Sequence, residues 1–239
     1  MSGRPPVLAH ERFVQHAATL RKLGLRDRFD YIFDRNMWGA SESRSGLGSS
    51  AEETEILRRE VPALLRALCV GTLLDIPCGD FSWLRQTDLA GIEYIGADIV
   101  DGIVENNINE WGQRPGIRSF LTLDLTQDPL PKADLILCRD CLVHFSFARI
   151  GEALDNLGKS GSVYLLATTF PEHQVNEDIE DGDWRLLNLT RPPFNFPPPL
   201  RLVVEGCREG EGAYADKSLG LWRIADIPLP AWHAGNIPE

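Results

Sequence analysis

The sequence predicts an α/β fold: a mostly parallel sheet with helices on both faces, an antiparallel strand at the edge and an N-terminal helical extension. Three observations carry this expectation. Between about residues 72 and 169 short apolar runs alternate with helical patterns, the signature of βαβ units and a parallel sheet. The first run, Leu73-Leu74-Asp75-Ile76-Pro77-Cys78-Gly79-Asp80-Phe81, passes from a buried strand into a tight turn. Acids then stand at the ends of the following strands.

The elements follow in order. Phe13, Ala17 and Leu20 fall at helical spacing, and Gly24 closes that segment. A second amphipathic stretch covers about residues 26–37. Residues 38–50 form a Gly/Ser-rich loop, and Ser50 with Glu53 makes a capping box that opens a helix to about Leu68. Strands are expected near 72–76, 93–98, 119–124, 133–138 and 161–169, with helices near 81–88, 101–111 and 146–157. Past Phe170 a polar, acidic segment leads to the proline-rich 191–199. Two more strands follow, near 200–205 and 218–225, spaced for a hairpin rather than a crossover. Residues 1–69 are read as N-terminal helices with a lid loop. Residues 70–239 are read as the core with a C-terminal strand pair, in one domain overall.

Composition narrows the function classes. The 239 residues are 43% hydrophobic and 25% charged, as in an ordinary globular protein. A formal net charge of -11 argues against a bulk electrostatic hold on nucleic acid or an anionic membrane. No apolar start and no apolar run near the roughly 18 residues of a span is present. An odd count of five cysteines favours free thiols and a cytoplasmic location. Cys138, Cys141 and His144 lack a second ligand pair, so no metal centre is expected.

In an open α/β sheet, ligands sit beyond the carboxyl ends of the strands. Those ends carry Asp75, Asp98, Asp124 and Arg139-Asp140. Asp98 lies 19 residues past Gly79, the separation of the acid that holds ribose hydroxyls in a Rossmann-like unit. A carboxylate accepts from two vicinal hydroxyls at once. Asp124 could accept from an adenine amino group. A pyrophosphate wants G-x-G-x-x-G before a helix. Here Pro77-Cys78-Gly79-Asp80-Phe81 stands there, and Asp80 would repel phosphates. An adenosine that carries a positive centre and no phosphate fits better, as in S-adenosylmethionine (SAM).

At these residues the chain resembles the class I (Rossmann-like) SAM-dependent methyltransferases, over about residues 70–170. Asp75-Ile76-Pro77-Cys78-Gly79 is similar to the first motif of that family, with Pro77 and Phe81 replacing two glycines. Asp98, followed by Ile99, is similar to the second motif, and Asp124-Leu125 to the adenine contact. Asp134 to Asp140 is similar to the fourth strand and its catalytic end. The blocks Asn36-Met37-Trp38-Gly39 with Glu42-Ser43, Phe194 to Pro199 and Tyr214 to Trp222 are similar to a bacterial branch with no firm acceptor. The resemblance implies SAM as cofactor, held by Asp75, Pro77, Gly79, Asp98, Ile99, Asp124, Leu125 and Arg139.

It also implies methyl transfer to an oxygen or nitrogen of a small acceptor, a sugar or secondary-metabolite hydroxyl first. Three residues are candidates for orienting or deprotonating that acceptor: Asp140, His144 and His173. For Asp140 the plain alternative is an internal salt bridge with Arg139 or with another chain segment; for His144 it is a place in the first turn of the next helix. Trp38 with its Gly/Ser loop reads as a lid, or else a solvated linker. Phe194 and Asn195 read as acceptor-pocket residues, or else a connection held extended by prolines. The protein is expected as a monomer or homodimer without nucleic-acid or membrane partners. Two rival readings are a nicotinamide-dependent oxidoreductase and a non-catalytic scaffold of the same fold.

Overall fold

The computed structural model describes residues 4, 7–39 and 45–228. Residues 40–44 of the Gly/Ser loop, including Glu42 and Ser43, lie outside them. Seven strands form one sheet in the order β3-β2-β1-β4-β5-β7-β6. They are β1 (Thr72–Asp75), β2 (Glu93–Asp98), β3 (Ile117–Thr122), β4 (Leu135–Cys138), β5 (Tyr164–Thr169), β6 (Arg201–Val204) and β7 (Ser218–Arg223). The first five pair in parallel, and β7 runs antiparallel to both β5 and β6. The antiparallel pair stands at the sheet edge as expected, with β6 outermost.

The sheet is apolar on both faces because both are covered. On one side lie α1 (Leu8–Leu20), α2 (Leu25–Asp34) and α5 (Phe147–Lys159). Phe13, Phe29, Ile32, Ile150 and Leu154 pack there with Leu74, Ile95 and Ile136. On the other side α3 (Glu55–Ala67) sets Leu57, Val61 and Leu65 against Leu73, Leu135 and Leu166. The N-terminal helices therefore share their core with the sheet. α4 (Asp101–Trp111) follows β2.

Three local expectations are corrected. The helix near 81–88 is absent: Phe81 is left-handed (φ 56), and turns lead into a single 3-10 turn at Leu84–Gln86. Burial of Phe81, Trp83 and Leu84 sets this path, with Phe81 packed 4.7 Å from the Tyr94 ring. Strand β3 ends at Thr122, because Asp124 is already capping the turn beyond it. The capping box is half made. Ser50 Oγ accepts from the Glu53 N–H, yet the helix begins at Glu55 and the Glu53 carboxylate accepts from the Arg208 N–H.

Residues 170–200 cross from β5 to β6 without a helix. Leu186, Leu187, Leu189, Phe194 and Phe196 bury this connection in the core. Buried Arg185 fastens it, donating to the carbonyls of Leu142, Phe145 and Glu177. That clamp lies beside His144.

Candidate active site

A cavity of about 920 Å³, including its open mouth, lies beyond the carboxyl ends of β1, β2 and β4. Asp75, Pro77, Gly79 and Asp80 border it from the first loop, and Asp98 and Ile99 from the second. Asp124, Leu125, Arg139 and Asp140 complete the far wall, with Trp38 and His144 at one end. A second cavity of about 600 Å³ adjoins it, sharing Trp38, Ser45, Asp140 and His144.

The first loop is fixed by its own backbone groups. Gly79 takes a left-handed conformation (φ 53) that its missing Cβ permits. Its N–H donates to Asp98 Oδ2 at 3.1 Å, and its carbonyl accepts from buried Asn107 at 2.7 Å. Asp98 Oδ1 accepts from the Val100 N–H. The Ile99 N–H also contributes, and the carboxylate keeps acceptor capacity for a ribose hydroxyl. Burial pushes the Asp98 carboxyl up to about 6. Burial also pushes Asp75 up to about 7, partly opposed by the Tyr94 hydroxyl that donates to it at 2.7 Å.

Asp124 is committed to its turn. Oδ1 accepts from the Thr126 N–H and hydroxyl, and Oδ2 from Gln127. The segment Ser45–Ser49 lies over the first loop: the Asp80 N–H donates to Ser45 Oγ, and Arg139 donates to the Gly48 carbonyl. Trp38 borders both cavities, and its indole N–H is buried with no hydrogen-bond partner among the described residues.

At the junction stands a buried charge cluster. Arg139 grips Glu205 through Nε at 3.2 Å and Nη2 at 2.6 Å. Lys217 donates to Asp140 Oδ2 at 2.6 Å and lies 3.7 Å from Glu205. Burial alone would raise the Asp140 carboxyl. Lys217 and Arg139 outweigh it and hold the carboxyl far below the usual range. Asp140 is thus a fixed anion and a poor proton acceptor.

His144 is different. Its Nδ1 lies 2.8 Å from the Asp183 carbonyl, which can only accept, so Nδ1 carries the hydrogen and Nε2 is left as an acceptor. Burial lowers its pKa, so the imidazole is neutral at pH 7. It sits in the 3-10 turn Leu142–His144, whose backbone the 182–185 segment grips.

No family model matches the chain, and no curated protein matches it. Solved structures do. Human N-acetylserotonin methyltransferase in complex with SAM aligns over 89% of this chain and 66% of that one, at 12% identity and TM-score 0.55. The fold is that of a class I methyltransferase. Magnesium protoporphyrin IX methyltransferase from Synechocystis PCC 6803 with bound SAH is 21% identical over 62% of this chain and 71% of that one, TM-score 0.45. A Pyrococcus horikoshii OT3 protein is 17% identical over 50% and 58%, TM-score 0.41. The chain thus spans less than two thirds of the Pyrococcus protein and 66% of the human enzyme.

On this methyltransferase fold the cavity can be tested for a nucleoside. Asp75, Asp80, Asp98, Asp124 and Asp140 border it, and among the described residues its one Arg or Lys, Arg139, is already paired with Glu205. No helix starts after Gly79, so no helix dipole faces the loop. The site suits a cationic, phosphate-free adenosine and disfavours a pyrophosphate.

Eleven of the sequence-derived candidates border the first cavity: Trp38, Asp75, Pro77, Gly79, Asp98, Ile99, Asp124, Leu125, Arg139, Asp140 and His144. His173, Phe194 and Asn195 border neither. Phe194 is buried edge-on against Phe147 at 5.3 Å, and Asn195 is exposed. His173 is half-buried, and its backbone carbonyl accepts from Asn188. Sequence reasoning missed Lys217, Glu205, Trp184 and Tyr214. Lys217 and Tyr214 lay inside a block noted only for its resemblance, with no chemistry attached. Glu53, Cys207 and Glu209 bring ligand atoms within 4.8 Å of one another nearby, where Lys217 also faces Glu209.

Proposed function

We propose that the protein is a SAM-dependent methyltransferase acting on an oxygen or nitrogen of a small acceptor, a secondary-metabolite hydroxyl first. The observation that carries this reading is the pair of joined cavities. One is acidic and formed by the strand ends; the other meets it at Asp140 and His144. Asp98 would hold the ribose, Asp75 and Gly79 would frame the methionine end, and Leu125 would border adenine. SAM supplies a methyl group already activated on a sulfonium. The chain's task is then to align the acceptor, which is catalysis by proximity. His144 Nε2 takes the acceptor proton, a step worth roughly 10²–10⁴-fold. Asp140, fixed by Lys217, orients the acceptor and stabilises the imidazolium. The segment 45–49 covers the cofactor and excludes water.

Calorimetric titration with SAM and, separately, NADH tests this reading. Binding of SAM alone supports it; binding of NADH alone sinks it in favour of an oxidoreductase. Asp98→Asn should weaken SAM binding about 100-fold, since it loses charged hydrogen bonds of about 1.5–3 kcal/mol each. Undiminished affinity would remove the ribose role from Asp98.

The raised carboxyls set a pH dependence. Asp75 and Asp98 bind protons more tightly folded than unfolded, so their contribution to stability is full below about pH 4. It is lost as pH rises through about 6 for Asp98 and about 7 for Asp75. The urea midpoint of the wild type, minus that of Asp75→Asn, should therefore fall between pH 5 and pH 8. A rise would show that Asp75 folds ionised. SAM, which favours the carboxylates, should bind more tightly at pH 8 than at pH 5.5 and release protons on binding.

A further inference from the structure

The second cavity says more about the acceptor. Its wall is aromatic: Phe170, Trp184 and Tyr214 border it together with Trp38. Trp184 meets Phe170 edge-on at 6.0 Å and Tyr214 at 5.4 Å, a rigid cluster. Val7 and Leu8, at the start of α1, extend the apolar lining. Polar groups gather where this cavity meets the first, at Asp140, His144 and Lys217. The lining thus sets a flat aromatic wall beside a polar side that includes Ser45 and Glu209.

Among the described residues the charges there are net acidic, since Glu209 also borders the cavity and faces Lys217. Arg139 and Lys217 are matched by Asp140 and Glu205. Among the described residues no surplus cation is left to hold a carboxylate or phosphate on the acceptor. A sugar would set several hydroxyls against ring faces that cannot pair with them, a desolvation cost.

Resting on the methyltransferase reading, we infer that the acceptor is an uncharged aromatic hydroxyl, a phenol, lying among Trp38, Phe170, Trp184 and Tyr214 with its oxygen between His144 and Asp140. Proton transfer agrees. A phenol with a pKa of about 10 lies roughly 3–4 units above an ordinary imidazole. An aliphatic hydroxyl, close to water at about 15.7, lies roughly 9 units above it. Burial lowers His144 further, which widens both gaps and favours the more acidic phenol. In the transfer the O–H bond breaks with its proton going to His144 Nε2, an oxygen pair forms the new O–CH3 bond, and the C–S pair returns to sulfur. The products are an aryl methyl ether and S-adenosylhomocysteine, and the imidazolium gives its proton to solvent.

The full-length protein with SAM is assayed for S-adenosylhomocysteine release with 4-methylphenol, methyl α-glucoside or benzylamine. The phenol should exceed the other two by about 100-fold or more in kcat/KM. Calorimetry of 4-methylphenol into protein saturated with S-adenosylhomocysteine gives a second, non-catalytic readout. Trp184 borders only the second cavity, so Trp184→Leu should weaken phenol binding about tenfold and leave SAM affinity unchanged. Trp184→Phe should restore phenol binding, which a merely unfolded variant would not allow. Faster turnover of the glucoside or amine, or unaltered phenol binding by Trp184→Leu, overturns the assignment while SAM binding leaves the methyltransferase reading standing. Failure of SAM itself to bind overturns both.

Discussion

Replacing His144 by glutamine should lower kcat by about 10²–10⁴-fold, the usual worth of a positioned base, with SAM affinity unchanged. Glutamine can still donate to the Asp183 carbonyl, so the turn that carries it should persist. What it lacks is a nitrogen that can take a proton. The pH profile distinguishes this from a structural effect. In the wild type, activity should rise with pH through a pKa below the usual 6.5 and be flat above pH 7, because burial keeps the imidazole neutral. In the variant, activity should climb continuously with pH as ionised acceptor replaces the missing base. A variant with wild-type kcat would leave His144 as a wall residue. Asp140 cannot take over the task, since Lys217 and Arg139 lower its proton affinity far below that of an ordinary carboxylate.

The second large effect concerns stability. Glu205→Gln should cost about 3–5 kcal/mol, the penalty for stranding a buried charge. Glu205 is 2% exposed and Arg139 6% exposed. Without the carboxylate, Arg139 loses its two-point partner and is left with Asp140, which Lys217 already holds. A glutamine amide would also turn a donor toward Arg139. The urea midpoint should fall with the slope unchanged, as two-state loss of stability requires. A shift of only a few tenths of a kcal/mol would mean that the cluster is wetter than its geometry implies. The same variant should weaken catalysis, because Glu205 and Asp140 together fix Lys217 at the junction of the two cavities.

Much of the core was legible because its signals are local. The strands β1, β2, β4 and β5 read as apolar runs bounded by turn residues, and α4 and α5 as amphipathic periods. Asp75, Gly79 and Asp98 were found because strand-end positions depend only on sequence order within a βαβ unit. The segment after Gly79 misled: Phe81, Trp83 and Leu84 answer to the Tyr94 and Phe120 rings and not to helical propensity. Phe194 and Asn195 misled for a related reason. An aromatic in a proline-rich loop reads equally as a pocket wall or a core plug, and here Phe147 claims Phe194.

By itself the sequence determined a Rossmann-like sheet, the acids that end its strands and the place of Arg139 and Asp140 at one such end. Only the tertiary structure decided what faces them. Val7 and Leu8, the turn at Ser45–Gly48, Trp184 and the stretch from Cys207 to Lys217 meet at one cavity although most of the chain separates them. No spacing rule links residues on different loops, because their approach is set by how the helices and the 170–200 connection pack on the sheet. The Lys217–Asp140 contact at 2.6 Å spans 77 residues, and it makes Asp140 an anchor and leaves the proton to His144.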